Sequence, residues 1–110
     1  MILRSFLFVP GDSDRKMEKG CASEADALIL DLEDSVSNDR QEIARDMVCA
    51  LLTARPDRQR QQLWVRINPL DTDLALPDLA AVMPGKPDGI ILPKTESADD
   101  AIKLDHWLAA

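Results

Sequence analysis

Four short apolar runs constrain this chain more than any other feature: SFLFVPG (Ser5 to Gly11), ALILDLED (Ala27 to Asp34), LWVRIN (Leu63 to Asn68) and GIILPK (Gly89 to Lys94). Each is nearly continuous in Leu, Ile, Val or Phe rather than cleanly alternating, the pattern of strands buried on both faces. Helical patterns lie between them, so the order reads β-α-β-α-β-α-β-α. The expected class is α/β, with a parallel sheet covered by helices.

The first helix can be capped by Asp12 or Ser13, carries Arg15, Lys16, Met17 and Lys19, and ends near Gly20. Asp39 followed by Glu42 resembles a capping box, after which Ile43, Met47 and Leu51 repeat at four-residue spacing. A short third helix is expected around Leu76 to Met83. Ser97, Asp99 and Asp100 open a fourth, in which Ala101, Leu104 and Leu108 share a face. Arg55 to Gln62 reads as a polar linker. Neither a domain boundary nor a low-complexity segment is visible, so a single domain over 1–110 is expected.

Every apolar run ends in a polar or turn-forming group: Pro10-Gly11-Asp12, Asp31-Leu32-Glu33-Asp34, Arg66-Ile67-Asn68 and Pro93-Lys94-Thr95-Glu96. Barrels of alternating strands and helices build their sites at the C-terminal ends of the strands. Open doubly wound sheets use the same end. The pattern therefore locates the chemistry without choosing between the two folds.

Composition narrows the partners. The formal net charge of the 110 residues is −7, and no basic run forms a stripe, which speaks against nucleic acid and anionic membrane. Cys21 and Cys49 lack CxxC spacing and read as two small buried thiols in a reducing compartment. The run Phe6 to Val9 is too short for the core of a signal peptide and stops at Pro10-Gly11, so it reads as a strand. A cytoplasmic enzyme is the expectation.

Period-two alternation sets the side-chain directions. Ile29, Asp31 and Glu33 share a face opposite Leu28, Leu30 and Leu32; Trp64, Arg66 and Asn68 oppose Leu63, Val65 and Ile67; Ile90, Leu92 and Lys94 oppose Ile91 and Pro93. The apolar faces suit packing under helices, and the mixed faces are expected to point inward, gathering carboxylates, a guanidinium and an ammonium at one mouth. A structural ion-pair cluster is the plainer reading of the same charges. Arg66 offers a fork matched to a carboxylate or a developing enolate oxygen, and Lys94 can orient a second anionic group. Asp31, Glu33 and Asp34 can hold a hard cation directly or through water, or serve only as ion-pair partners. At the first helix start, Gly11 permits close backbone approach, and Arg15 and Lys19 lie on neighbouring turns, a place for a phosphate-bearing ligand. His106 is expected to face solvent and has no assigned role.

RSFLFVPG, ALILDLEDSV, WVRINPL and GIILPKTES, in this order across almost the entire chain, resemble the citrate lyase β-subunit-like CoA-ester lyases of the HpcH/HpaI aldolase group. The resemblance implies a (β/α)₈ TIM barrel that works with Mg²⁺ on CoA thioesters such as citryl-CoA, malyl-CoA or citramalyl-CoA. Such an enzyme cleaves or forms the C–C bond between an acyl-CoA and a keto acid. By the same resemblance Arg66 is a substrate-binding arginine, with Lys94 and Asn68 beside it. Asp31, Glu33 and Asp34 form an acidic shell near the metal, and Arg15 and Lys19 meet CoA phosphates. The family's two direct Mg²⁺ ligands come from strands after the fourth, so no direct metal ligand is expected in this chain.

About the first four βα units of the barrel are therefore expected, with little lyase activity in isolation. Open sheet edges invite a homo-oligomer or a complementing chain. Two other readings stay open: an aldolase of free 2-keto acids that needs no CoA, and a non-catalytic half barrel.

Overall fold

A computed structural model describes residues 5–93. The elements are β1 (Phe6–Pro10), α1 (Asp14–Ala22), β2 (Ala27–Asp31), a 3₁₀ turn (Asn38–Arg40), α2 (Gln41–Ala54), β3 (Gln62–Arg66), α3 (Ala75–Val82), a second 3₁₀ turn (Met83–Gly85) and β4 (Gly89–Ile91). The fourth helix expected from Ser97 onward, with His106, lies outside the described residues, as does Lys94.

All strand pairs are parallel and the spatial order is β1-β2-β3-β4. The order follows the sequence without reversal, so the described strands contain no switch point of the doubly wound kind. Met17 of α1, Val48 and Leu52 of α2 and Val82 of α3 join one core cluster with Val9, Leu30 and Val65. The described helices therefore cover one face of the sheet, as a barrel requires, and leave the other as an inner face. The barrel-type architecture is what the sequence led us to expect.

Burial on both strand faces holds fully for β2, where Ala27 to Asp31 are all buried. The edge strand β1 is bare: Phe6 and Phe8 are 49% and 53% exposed on the inner side, and Leu7 is 40% exposed on the helical side.

Local chemistry explains the helix starts. Ser13, not Asp12, caps α1, its Oγ accepting from Lys16 N–H at 3.2 Å. Asp12 instead receives Arg40 Nε at 2.5 Å, tying the loop after β1 to the turn before α2. The capping box expected from Asp39 and Glu42 is not formed. Asp39 sits inside the 3₁₀ turn, where Ser37 Oγ donates to it at 2.7 Å, and α2 begins at Gln41 with no side-chain cap. The buried stripe of α2 is Gln41, Ala44, Val48 and Leu52, one residue away from the Ile43, Met47, Leu51 line. Met47 and Leu51 of that line pack against the core from its margin, and Ile43 is exposed.

The segment 55–62 does more than link. Arg58 donates to the carbonyls of Leu52 at 2.8 Å, Lys86 at 3.0 Å and Gly85 at 3.2 Å, closing the C-terminal end of α2 against the second 3₁₀ turn. Gln61 is buried and donates to the carbonyls of Gly20 and Ala25.

Candidate functional site

The site lies where β2 and β3 end. Parallel register sets Asp31 beside Arg66, and both follow inner-face residues, Ile29 and Trp64. Arg66 donates from Nε to Asp31 Oδ1 and from Nη2 to Asp31 Oδ2, each at 2.8 Å. This bidentate fork is the strong form of the contact. The guanidinium also lies over the Phe8 ring, 4.7 Å from its centroid. Glu33 Oε1 stands 3.7 Å from Arg66 Nε.

The carboxylate of Asp31 is only 2% exposed and saturated with donors. Besides Arg66, Oδ1 accepts from Glu33 N–H at 2.9 Å, and Oδ2 accepts from Ser35 N–H at 3.0 Å and Ser35 Oγ at 2.7 Å. Burial alone would raise its pKa. The bonds from Arg66, Ser35 and the two backbone N–H groups outweigh burial and hold it at about 2. The same pairing raises the pKa of Arg66. Glu33 behaves in the opposite way: burial and the neighbouring Asp34 raise its pKa, against the pull of Arg66.

Arg66 lines a cleft of ≈ 480 Å³, and its Nη1 makes no hydrogen bond among the described residues. Phe8, Pro10, Lys16, Asp31, Asp34 and Ser35 also line it. The cleft brings together the Arg66 guanidinium and the Lys16 side chain, two cations suited to an anionic ligand. A larger groove of ≈ 730 Å³ lies between α1 and α2, lined by Met17, Cys21, Met47 and Leu51. It sits on the helical side of the sheet, away from the strand ends, so the smaller cleft is the better site.

Several expected site residues fall elsewhere. Asn68 does not share the cleft with Arg66. It is buried, and the two hydrogens of its Nδ2 are shared among Asp78 Oδ2 at 2.7 Å, Leu32 O at 3.0 Å and Gln41 Oε1 at 3.0 Å. The strand ends at Arg66, so the alternation no longer governs residue 68. On β4 the faces are reversed. Ile90 pairs with Val65 and Ile91 with Arg66, and Ile90 and Leu92 pack on the helical core. The inward assignment of Ile90, Leu92 and Lys94 thus loses its premise for the first two.

Arg15 and Lys19 are exposed on α1 and do not line the cleft; Lys16, between them, does. Gly11 serves a close approach, but to the chain itself. Its N–H donates to Asp31 O at 2.8 Å, and a Cβ there would stand 2.7 Å from that oxygen. Cys21 and Cys49 are free thiols, half-buried rather than buried.

Among the described residues, no group of three or more His, Cys, Asp or Glu side chains is arranged to bind a metal. Asp31 has no lone pair left for one, which removes it as a direct ligand. Glu33 and Asp34 are the mouth carboxylates still able to turn toward an ion.

Residues 4–110 match the profile of the HpcH/HpaI aldolase/citrate lyase family. The chain belongs to that family. It is 41% identical over 97 residues to a (3S)-malyl-CoA thioesterase of Cereibacter sphaeroides, covering 88% of this chain and 34% of the relative. Two solved structures from Mycobacterium tuberculosis are also similar. A citrate lyase beta subunit complexed with oxaloacetate and magnesium is 36% identical with a TM-score of 0.75, covering 90% of this chain and 42% of that one. The protein CitE in complex with magnesium, acetoacetate and coenzyme A is 36% identical with a TM-score of 0.75, covering 93% and 36%. This HpcH/HpaI-family chain thus spans about a third of the curated relative's length and about two fifths of the solved ones. Among its described residues, no helix is long and apolar enough to cross a membrane.

Proposed function

We propose that the chain carries the arginine side of the mouth of a CoA-ester carbon–carbon lyase, as the first half of a single barrel domain. Arg66 binds the carboxylate of a keto acid there. The observation that carries this reading is the clasp itself: Asp31 fixes Nε and Nη2 of the guanidinium, and the arginine so held lines the cleft. A fork immobilised in this way costs little ordering on binding and favours a planar anion.

The wider reaction follows from the family. A base takes the proton of the hydroxyl on the CoA ester as that oxygen becomes the keto carbonyl. The C–C bond breaks with its electron pair passing to the acyl-CoA α-carbon as an enolate, and a proton returned to that carbon gives the acyl-CoA beside the keto acid. Arg66 steadies the keto-acid carboxylate through this step, and Lys16 adds a second cation at the cleft. Arg15 and Lys19, exposed on the same helix, are proposed contacts for CoA phosphates at the rim. Lys94 and Asn68 were the other proposed substrate contacts. Lys94, outside the described residues, stays a proposed substrate contact, and the bonding of Asn68 favours a supporting role instead.

Magnesium is bound in the M. tuberculosis relatives. In this protein a Mg²⁺ site requires carboxylates from further strands, with Glu33 and Asp34 at its border. We therefore expect little lyase activity from these 110 residues alone.

The bare β1 edge, exposed on both faces at Phe6, Leu7 and Phe8, supports a companion reading. Further βα units pair there, supplied by a second copy or by a complementing polypeptide, and close the barrel in the cytoplasm.

Calorimetric titration with oxaloacetate tests the central reading. Binding by the wild-type chain and at least about tenfold weaker binding by Arg66→Lys is the expected pair, since Lys cannot present the fork. Equal binding by the two proteins, or none by the wild type, overturns it.

A further inference from the structure

We infer that Gln41 and Asn68, backed by Asp78, are positioning residues: they hold the 32–36 loop so that Asp31 can clasp Arg66. The loop supplies the donors that orient the Asp31 carboxylate, namely Glu33 N–H, Ser35 N–H and Ser35 Oγ. Its two ends are anchored from beneath. Leu32 O accepts from Asn68 Nδ2 at 3.0 Å, and Val36 O accepts from Gln41 Nε2 at 3.1 Å.

The two amides are themselves joined, Asn68 Nδ2 donating to Gln41 Oε1 at 3.0 Å. Asp78 fixes Asn68 from α3, its Oδ2 accepting from Asn68 N–H at 2.8 Å and Nδ2 at 2.7 Å. Arg45 Nε in turn holds Asp78 Oδ1 at 2.8 Å. A line of bonds therefore runs from α2 and α3 to both ends of the loop under the mouth.

Burial makes this arrangement informative. Gln41 is 5% exposed, Asn68 6% and Asp78 not at all. Packing alone does not call for polar groups there, because apolar side chains of similar volume fill such a space at least as well. What the polar network adds is a single defined geometry for the backbone it bonds. That backbone is the one presenting N–H groups to Asp31.

The consequence for ligand binding rests on the proposed role of Arg66, but the test reads geometry with no ligand present. A failed inference is thereby distinguished from a failed functional reading. Hydrogen exchange and the Arg66 Nε–H resonance are followed by ¹⁵N NMR on the full chain and on Gln41→Met. In the variant, exchange at Glu33 and Ser35 should accelerate about tenfold relative to Leu28 and Leu30, the loss of roughly one hydrogen bond. The Arg66 Nε–H signal should shift as its partner moves. A merely structural role would lower the melting temperature and leave both readouts in place, and that result overturns the inference. If Gln41→Met does not fold, Gln41→Glu is read in the same way. Its ionised carboxylate still accepts from Asn68 but no longer donates to Val36, and unchanged Glu33 and Ser35 exchange again overturns the inference.

Discussion

Arg66 grips Asp31 across neighbouring strands, Nε and Nη2 each 2.8 Å from a different carboxylate oxygen, while the guanidinium rests on Phe8. This grip neutralises a buried charge, and it fixes an arginine that lines the cleft.

Breaking the pair from the arginine side leaves Asp31 charged and buried. Arg66→Ala should cost about 3–5 kcal/mol, a large share of the stability of a small domain. Arg66→Lys should cost less, since it keeps the charge but loses the fork. Urea denaturation followed by circular dichroism measures both.

Asp31 also sets the acid limb of stability. Its carboxyl lies at about 2 in the folded chain against 3.8 for the free group. The folded state therefore binds fewer protons between these values, and stability falls as pH drops through that window. By linkage the contribution is about 2 kcal/mol, fully present above about pH 4. Glu33, whose pKa is raised, contributes in the opposite sense. Denaturation midpoints between pH 5 and 2 should flatten in Asp31→Asn relative to the wild type.

Arg58 predicts a stability effect far from the mouth. It donates to the carbonyls of Leu52, Gly85 and Lys86 and to Asp88 Oδ2 at 3.2 Å. Arg58→Ala should cost about 2 kcal/mol, and Arg58→Lys should recover little, because one ammonium cannot span the same acceptors. Thermal melts of the two variants check this.

Gly89 lies against Trp64. A Cβ at residue 89 would stand 2.2 to 2.7 Å from ring atoms, so Gly89→Ala must move the indole or the edge strand. The expected cost is about 1–3 kcal/mol, read from the same denaturation curves. Trp64 Nε1, which donates to Gln62 Oε1 at 2.9 Å, should change its NMR shift.

The strands were legible because continuous apolar runs leave few options, and their ends located the mouth for the same reason. Alternation worked within a strand and failed past its end. It placed Arg66 correctly and misplaced Asn68, two residues after β3 stops. On β4, a run beginning at Gly89 gives no internal cue to which residues face inward; only pairing with β3 decides that. Lys16 was missed because charge spacing on a helix does not say which turn meets the neighbouring strand ends. Arg58 was passed over because one arginine among polar residues reads as solvent-facing, and its acceptors are main-chain carbonyls that leave no trace in sequence.

The most direct test follows the Arg66 Nε–H resonance by ¹⁵N NMR while oxaloacetate is added to the full chain. We predict a saturable shift of that signal, with the Asp31-bound amides of Glu33 and Ser35 moving in step. Saturable binding that leaves the Arg66 signal in place, or no binding at all, would contradict the account.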